Sequence, residues 1–519
     1  MHALTVLFGG SLSNEAFAPV LMGQSAFSLA LKQACAFPGS TKTVLFTGEG
    51  EIPGSLLAEQ KPEIIQKSIW TVSELLKNLS ELSIGFDFVY YAWADSPFLD
   101  PVLAGKIAER HTRYAADYSY ADGWPYGLGP ELINSYSAGI LFKIAGEIGE
   151  GPVKRDSIFS VLQKDINSFD IETEISITDL RHHRLSFTAN SKRNLLLLER
   201  FAGLAPNAEN SAQLIADHPE YLRTLPAFFP IQVSGPCPKT GGSCDLCPYR
   251  QFGAKEGPVT ERSDFLAVAD FTALLDKIQD FAGDGVIDIS LWGEISLHPQ
   301  REEIIRLVLE RPALSLLIET SAYGWEGFNI KDIAQLAAAA KPRLNNLPPL
   351  SWIVSLNPAD RESEAVSFVK KLLEYFPKER GRDDLVYVEA IRTTGAEDVI
   401  EQFYRSWKEN KTGESCPGII IQKYDSFCGF LAQKQAVDLS PIERRPCWHI
   451  MRDFPVLLDG TVPLCREDLR EGRCLLGNVF REDLHNIWKQ GEQAYLSHCR
   501  KLYAAEPCGV CDEYYTYNF

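Results

Sequence analysis

The chain has 519 residues, of which 45% are hydrophobic and 23% charged, and that length exceeds one ordinary core, so two to four domains are expected. Its 51 Lys and Arg against 69 Asp and Glu leave a net charge of −18, which repels a phosphate backbone and argues against a nucleic-acid partner. No run reaches the roughly 18 apolar residues of a membrane span, and "MHALTVLFGG" has neither a basic n-region nor a small-residue cleavage site, so a soluble, cytoplasmic protein is expected.

In chain order, the first segment alternates short apolar strands with helices: "ALTVLFGG", "SAFSLALKQACA", "KTVLFTG", "TVSELLKNLSEL" and "FDFVYYAWADSPFLDP". This βαβ rhythm implies an open, mostly parallel sheet over residues 1–195. A Leu-rich helical stretch, "SKRNLLLLERFAGL", opens a linker over 196–225. Six further strand candidates follow over 226–435, namely "FPIQVSG", "GVIDISLWG", "LSLLIETS", "SWIVSLN", "LVYVEAI" and "GIIIQKY", with helical text between them. Six βα units predict a partial barrel, with its chemistry at the C-terminal ends of the strands. Residues 436–519 lose this rhythm and are turn-rich and cysteine-dense, a composition that draws stability from metal. The expected fold class is therefore a multidomain α/β protein with a cysteine-rich C-terminal module.

Twelve cysteines without a secretion signal favour metal sites over disulfides. Cys237, Cys244 and Cys247 form C-x6-C-x2-C directly after the first barrel strand, in "SGPCPKTGGSCDLCPYR". Three thiolates hold a 4Fe-4S cluster and leave one iron open for a ligand; the alternative is a zinc clip or free surface thiols. At the second strand end, "LWGEISLHP" places Gly293, where a ligand approaches the backbone, and Glu294, whose carboxylate pairs with an amino group or merely caps a turn. Ser355 ends strand four, as a site residue or as a plain strand-end hydroxyl.

This arrangement resembles the radical S-adenosylmethionine (SAM) enzymes, in which a cluster loop follows strand one. The resemblance implies a 4Fe-4S cluster on Cys237, Cys244 and Cys247, and SAM bound beside Gly293, Glu294 and Ser355. The usual loop is C-x3-C-x2-C, and Trp292 and Ile295 stand where the family's second motif has Gly and Pro. Further on, "CWHIMRDFPVLLDGTVPLCRED", the landmarks Leu476, Gly477, Asn478, Ile487 and Trp488, and "CGVCDEYY" resemble the SPASM module. That resemblance implies an auxiliary 4Fe-4S cluster on Cys447, Cys465, Cys508 and Cys511, with Cys474 and Cys499 as substitute ligands and zinc as the alternative metal. Cys35, Cys416 and Cys428 stand isolated.

In the first domain, Asp95 ends an apolar strand in "YYAWADSPFLDP", as in the nucleotidyltransferase-like GT-A domains, whose acidic residue at this point binds the nucleotide's metal; helix capping is the plainer alternative. The loop "FGGSLSNEAFAPVLMG" has no Lys or Arg to balance phosphates, which favours a retained fold with altered transfer. The whole order is similar to the spiro-SPASM proteins. It implies a radical SAM enzyme acting on a peptide, protein or sugar-linked substrate, with a reductant such as flavodoxin or ferredoxin. The rival functions are a nucleotide-sugar transferase with structural iron-sulfur centres and a non-catalytic metal-binding scaffold.

Overall fold

The computed structural model describes all residues except 51, 53, 58–59, 236, 238–244, 249–263, 342, 344–346, 360–361, 377–384, 410–415, 438–439, 470–473, 504–507 and 516–519. The chain divides into two compact units between Thr224 and Leu225. Among the described residues no helix is long and apolar enough to cross a membrane.

The N-terminal unit is built on a seven-stranded sheet: β1 Ala3–Gly9, β2 Ser40–Thr47, β3 Glu63–Gln66, β4 Phe88–Trp93, β5 Tyr118–Asp122, β6 Glu131–Asn134 and β7 Ile171–Ile175. The strand order is β3-β2-β1-β4-β6-β5-β7, and β6 runs antiparallel to both its neighbours. β1 and β4 are buried at every position, as central parallel strands covered on both faces must be. Helix Val72–Leu82 packs Leu75, Leu76 and Leu79 against one face, and the Thr71 side chain caps it by accepting from the Glu74 amide, which satisfies an otherwise unpaired donor.

The second unit carries a six-stranded parallel sheet in sequence order: β8 Phe228–Pro230, β9 Gly285–Asp288, β10 Leu314–Thr320, β11 Leu350–Ser355, β12 Val386–Arg392 and β13 Gly418–Lys423. Each of the six predicted apolar runs supplies one strand. Alternation along the strands sorts the side chains onto two faces. Ile287, Ile318, Trp352 and Val388 turn outward into the core beneath the helices. On the other face Phe228, Val286, Leu317, Ile353, Tyr387 and Ile420, one from each strand, pack together and close the floor of the sheet. β14 Thr461–Pro463 and β15 Leu475–Asn478 then form an antiparallel hairpin. The turn that leads into β14 needs Gly460, which has φ +83° and no room for a Cβ against the Phe480 ring.

Candidate functional site

Two residues beyond that apolar floor, period-2 alternation returns each strand to the same face, and in β9 to β13 the residues there are polar: Asp288, Glu319, Ser355, Glu389 and Gln422. They line a cavity of about 600 Å³ at the C-terminal ends of the strands. Ser355 Oγ donates to Glu389 Oε2 at 2.8 Å, and Asp288 Oδ1 accepts the Ser290 amide at 2.9 Å. Burial, then the charge of Glu319, pushes the Asp288 and Glu389 carboxyls each up to about 7, and burial raises Glu319 as well. The countercharge is Arg466, which reaches this layer from the chain just past β14. Burial opposes its charge, yet Glu467, Glu319, Asp453 and Asp288 hold it above its ordinary range.

The same cavity is lined by Cys237, Cys247, Gly293, Glu294 and Ser355, so five of the expected site residues share one space. Cys244 lies outside the described residues. Gly293 is required by a close approach, because a Cβ there would stand 2.5 Å from the Ser234 carbonyl oxygen; any other residue would push apart the chain after β8 and the chain after β9. The preceding Trp292 has φ +52°, a left-handed conformation that costs a side chain about 1 kcal/mol, and it packs with Leu291, Leu457 and Leu469. Glu294 is buried, and its carboxylate accepts from Thr320 Oγ1 at 2.6 Å, from the Ser321 amide at 2.7 Å and from Ser321 Oγ. These three donors fix the carboxylate at the rim of the cavity.

In the C-terminal module, Cys447 caps helix Trp448–Arg452, Cys465 follows β14, and Cys508 and Cys511 lie on one turn. Cys447 and Cys508 are buried, Cys465 and Cys511 half-buried. All four interact electrostatically as a group. Burial pushes the thiol of Cys508 up to about 11 and those of Cys447 and Cys465 well above their usual range, so only a bound cation would make thiolates of them. The Glu467 amide points at Cys465 Sγ at 3.5 Å and the Glu513 amide at Cys511 Sγ at 3.3 Å, donors that suit cluster-bound sulfur. Cys474 is exposed beside β15, and Cys499 ends helix Glu492–Cys499.

Sequence reasoning passed over Asp288, Glu319, Glu389 and Arg466, and it placed Cys428 alone. The carboxylates had a signal, each lying two residues beyond an apolar strand residue. Cys428 had none, since only folding brings it beside Cys511 and Cys465.

In the N-terminal unit Asp95 is almost wholly buried at the end of β4, and both its carboxylate oxygens face Arg155. The arginine stacks on Trp93 at 4.4 Å. A cation at Asp95 would have to displace this guanidinium.

A family model for the SPASM domain, an iron-sulfur cluster-binding domain, matches residues 447–512. A Treponema pallidum (strain Nichols) protein described as uncharacterized is 37% identical over 375 residues, covering 70% of this chain and 98% of that protein. Among solved structures, a cytidylyltransferase from Leptospira borgpetersenii serovar Hardjo-bovis (strain JB197) is similar with a TM-score of 0.36 and 11% identity, over 43% of this chain and 95% of that one. BtrN in complex with AdoMet and 2-DOIA is similar with a TM-score of 0.35 and 16% identity, over 56% of this chain and 92% of that one. The chain belongs to the family of the Treponema pallidum protein and carries a SPASM iron-sulfur domain over residues 447–512.

Proposed function

We propose that the chain is a radical SAM iron-sulfur enzyme of the spiro-SPASM type, whose second unit is a partial barrel around the active site. The observation that carries this reading is the cavity shared by Cys237, Cys247, Gly293, Glu294 and Ser355 at the strand ends. Cys237, Cys244 and Cys247 would hold a 4Fe-4S cluster, and Cys447, Cys465, Cys508 and Cys511 an auxiliary one. SAM held at the first cluster would supply radical hydrogen-abstraction chemistry on one-electron reduction.

The protein's own residues bind and orient. Glu294, held in place by Thr320 and Ser321, offers its fixed carboxylate to the SAM amino group. Ser355, oriented by Glu389, presents its hydroxyl oxygen as an acceptor to the ribose. The apolar floor of Leu317, Ile353 and Ile420 excludes water from below, and Asp288, Glu319, Glu389 and Arg466 line the depth of the cavity with acceptors and a fixed cation. A peptide, protein or sugar-linked substrate with donors to match those carboxylates suits this lining, with flavodoxin or ferredoxin as reductant.

Iron and acid-labile sulfide in anaerobically purified protein test the cofactor set. About eight of each per chain are expected from two clusters. Zinc without sulfide would remove both assignments.

A further inference from the structure

The cavity at the strand ends is more acidic than recognition of SAM requires. Its described lining carries six carboxylates against two cations, Lys423 and Arg466. Both cations are already engaged by acids of the C-terminal module. Lys423 Nζ lies 3.0 Å from Asp512 Oδ2 and also meets Glu513, and Arg466 Nε lies 3.0 Å from Glu467 Oε1. Glu294 is assigned to the SAM amino group. Asp288, Glu319 and Glu389 remain, one from each of three strands, and they share Arg466 with Glu467 as their countercharge. The half-buried Glu319 carboxylate accepts no hydrogen bond from the described residues. An acceptor drawn away from water without a donor is costly, and a ligand that brings the donor recovers that cost.

A cleft lined by an excess of one sign concentrates ligands of the other. Asp288 Oδ1 is already held by the Ser290 amide at 2.9 Å, and Glu389 Oε2 by the Ser355 hydroxyl at 2.8 Å. Neither therefore turns a whole carboxylate to a ligand, which is what a planar guanidinium fork matches. A primary ammonium has three donors that spread to separate acceptors, and carboxylates on three different strands suit it. Glu319 directly precedes Thr320, whose hydroxyl holds Glu294, so a group held by Glu319 sits beside the proposed SAM amino site. We propose that this cavity takes a substrate carrying a primary ammonium group, anchored on Glu319 and flanked by Asp288 and Glu389. The inference deepens the radical SAM reading and rests on it for calling that ligand the substrate.

The test uses the full chain, purified anaerobically, with and without SAM, and reads binding by isothermal titration calorimetry. The probes are Nα-acetyl-lysine methylamide with its neutral Nε-acetylated form, and glucosamine with glucose, so a peptide and a sugar source of the ammonium are read apart. Nα-acetyl-arginine methylamide reads a guanidinium. At least one ammonium probe is expected to bind about tenfold or more tightly than its neutral counterpart and than the arginine derivative. Glu319→Gln is expected to abolish that preference and to leave the affinity for SAM as it was. Asp288→Asn, expected to weaken the preference in part, decides the matter if Glu319→Gln fails to fold by circular dichroism. Equal binding of charged and neutral probes, or no binding of any ammonium probe, overturns the inference. Loss of SAM binding in a folded Glu319→Gln also overturns it, because the carboxylate would then serve the cofactor. A wild-type chain that shows the ammonium preference but binds no SAM leaves the ammonium site standing and removes the radical SAM reading instead.

Discussion

Arg155 closes on Asp95 through two hydrogen bonds, Nη2 to Oδ2 at 2.6 Å and Nη1 to Oδ1 at 3.2 Å. The pair spans the strand end where a catalytic metal would have to sit, and it neutralises the acid from within the fold. Removing the arginine leaves a buried carboxylate without its partner, which costs about 3 kcal/mol. Arg155→Ala is expected to lower the thermal midpoint of the N-terminal unit, followed by calorimetry. The intact protein, given magnesium and nucleoside triphosphates, is expected to release no pyrophosphate. Its release would return nucleotidyl transfer as the leading activity.

Glu131 supplies a pH dependence. Burial, against a 2.7 Å hydrogen bond from the Tyr118 hydroxyl, pushes its carboxyl up to about 7 from an ordinary 4.5. The folded protein therefore holds a proton that the unfolded chain gives up, and this group's contribution falls as the pH rises from about 4.5 through about 7. Glu131→Gln, neutral at every pH, is expected to be more stable than the parent at pH 8 by on the order of 1–3 kcal/mol and about equal to it at pH 4. Denaturant unfolding at the two pH values checks the sign, and an equal change at both would contradict it.

Gly293→Ala tests the cavity wall. The added methyl would meet the Ser234 carbonyl at 2.5 Å, and that contact is to backbone, so the two strand-end segments must move apart. Binding of SAM, measured by equilibrium dialysis, is expected to weaken at least tenfold, which corresponds to about 1.4 kcal/mol. Unchanged binding would place SAM elsewhere.

The strands of the second unit were legible as apolar runs, from "GVIDISLWG" for β9, buried at every residue and covered on both faces, to "GIIIQKY" for the edge strand β13, where no residue is fully buried. β3 is only four residues, Glu63–Gln66, none of them buried, and carried no such signal. The neighbourhood of Gly293 and Glu294 was legible from its place at a strand end. What escaped were pairings across long sequence separation. Asp95 and Arg155 lie 60 positions apart, and Arg466 reaches Glu319 from another module. Trp292 was legible only as a departure from a glycine; its left-handed φ explains why glycine suits that position, and its apolar packing offsets the strain.

The most direct measurement is the anaerobic incubation of reduced protein with SAM, with 5′-deoxyadenosine quantified by chromatography. The wild-type chain is expected to form 5′-deoxyadenosine and methionine in equal amounts, and Cys244→Ala to form neither. Fully reduced, iron-loaded wild-type protein that yields no 5′-deoxyadenosine would contradict the radical SAM account.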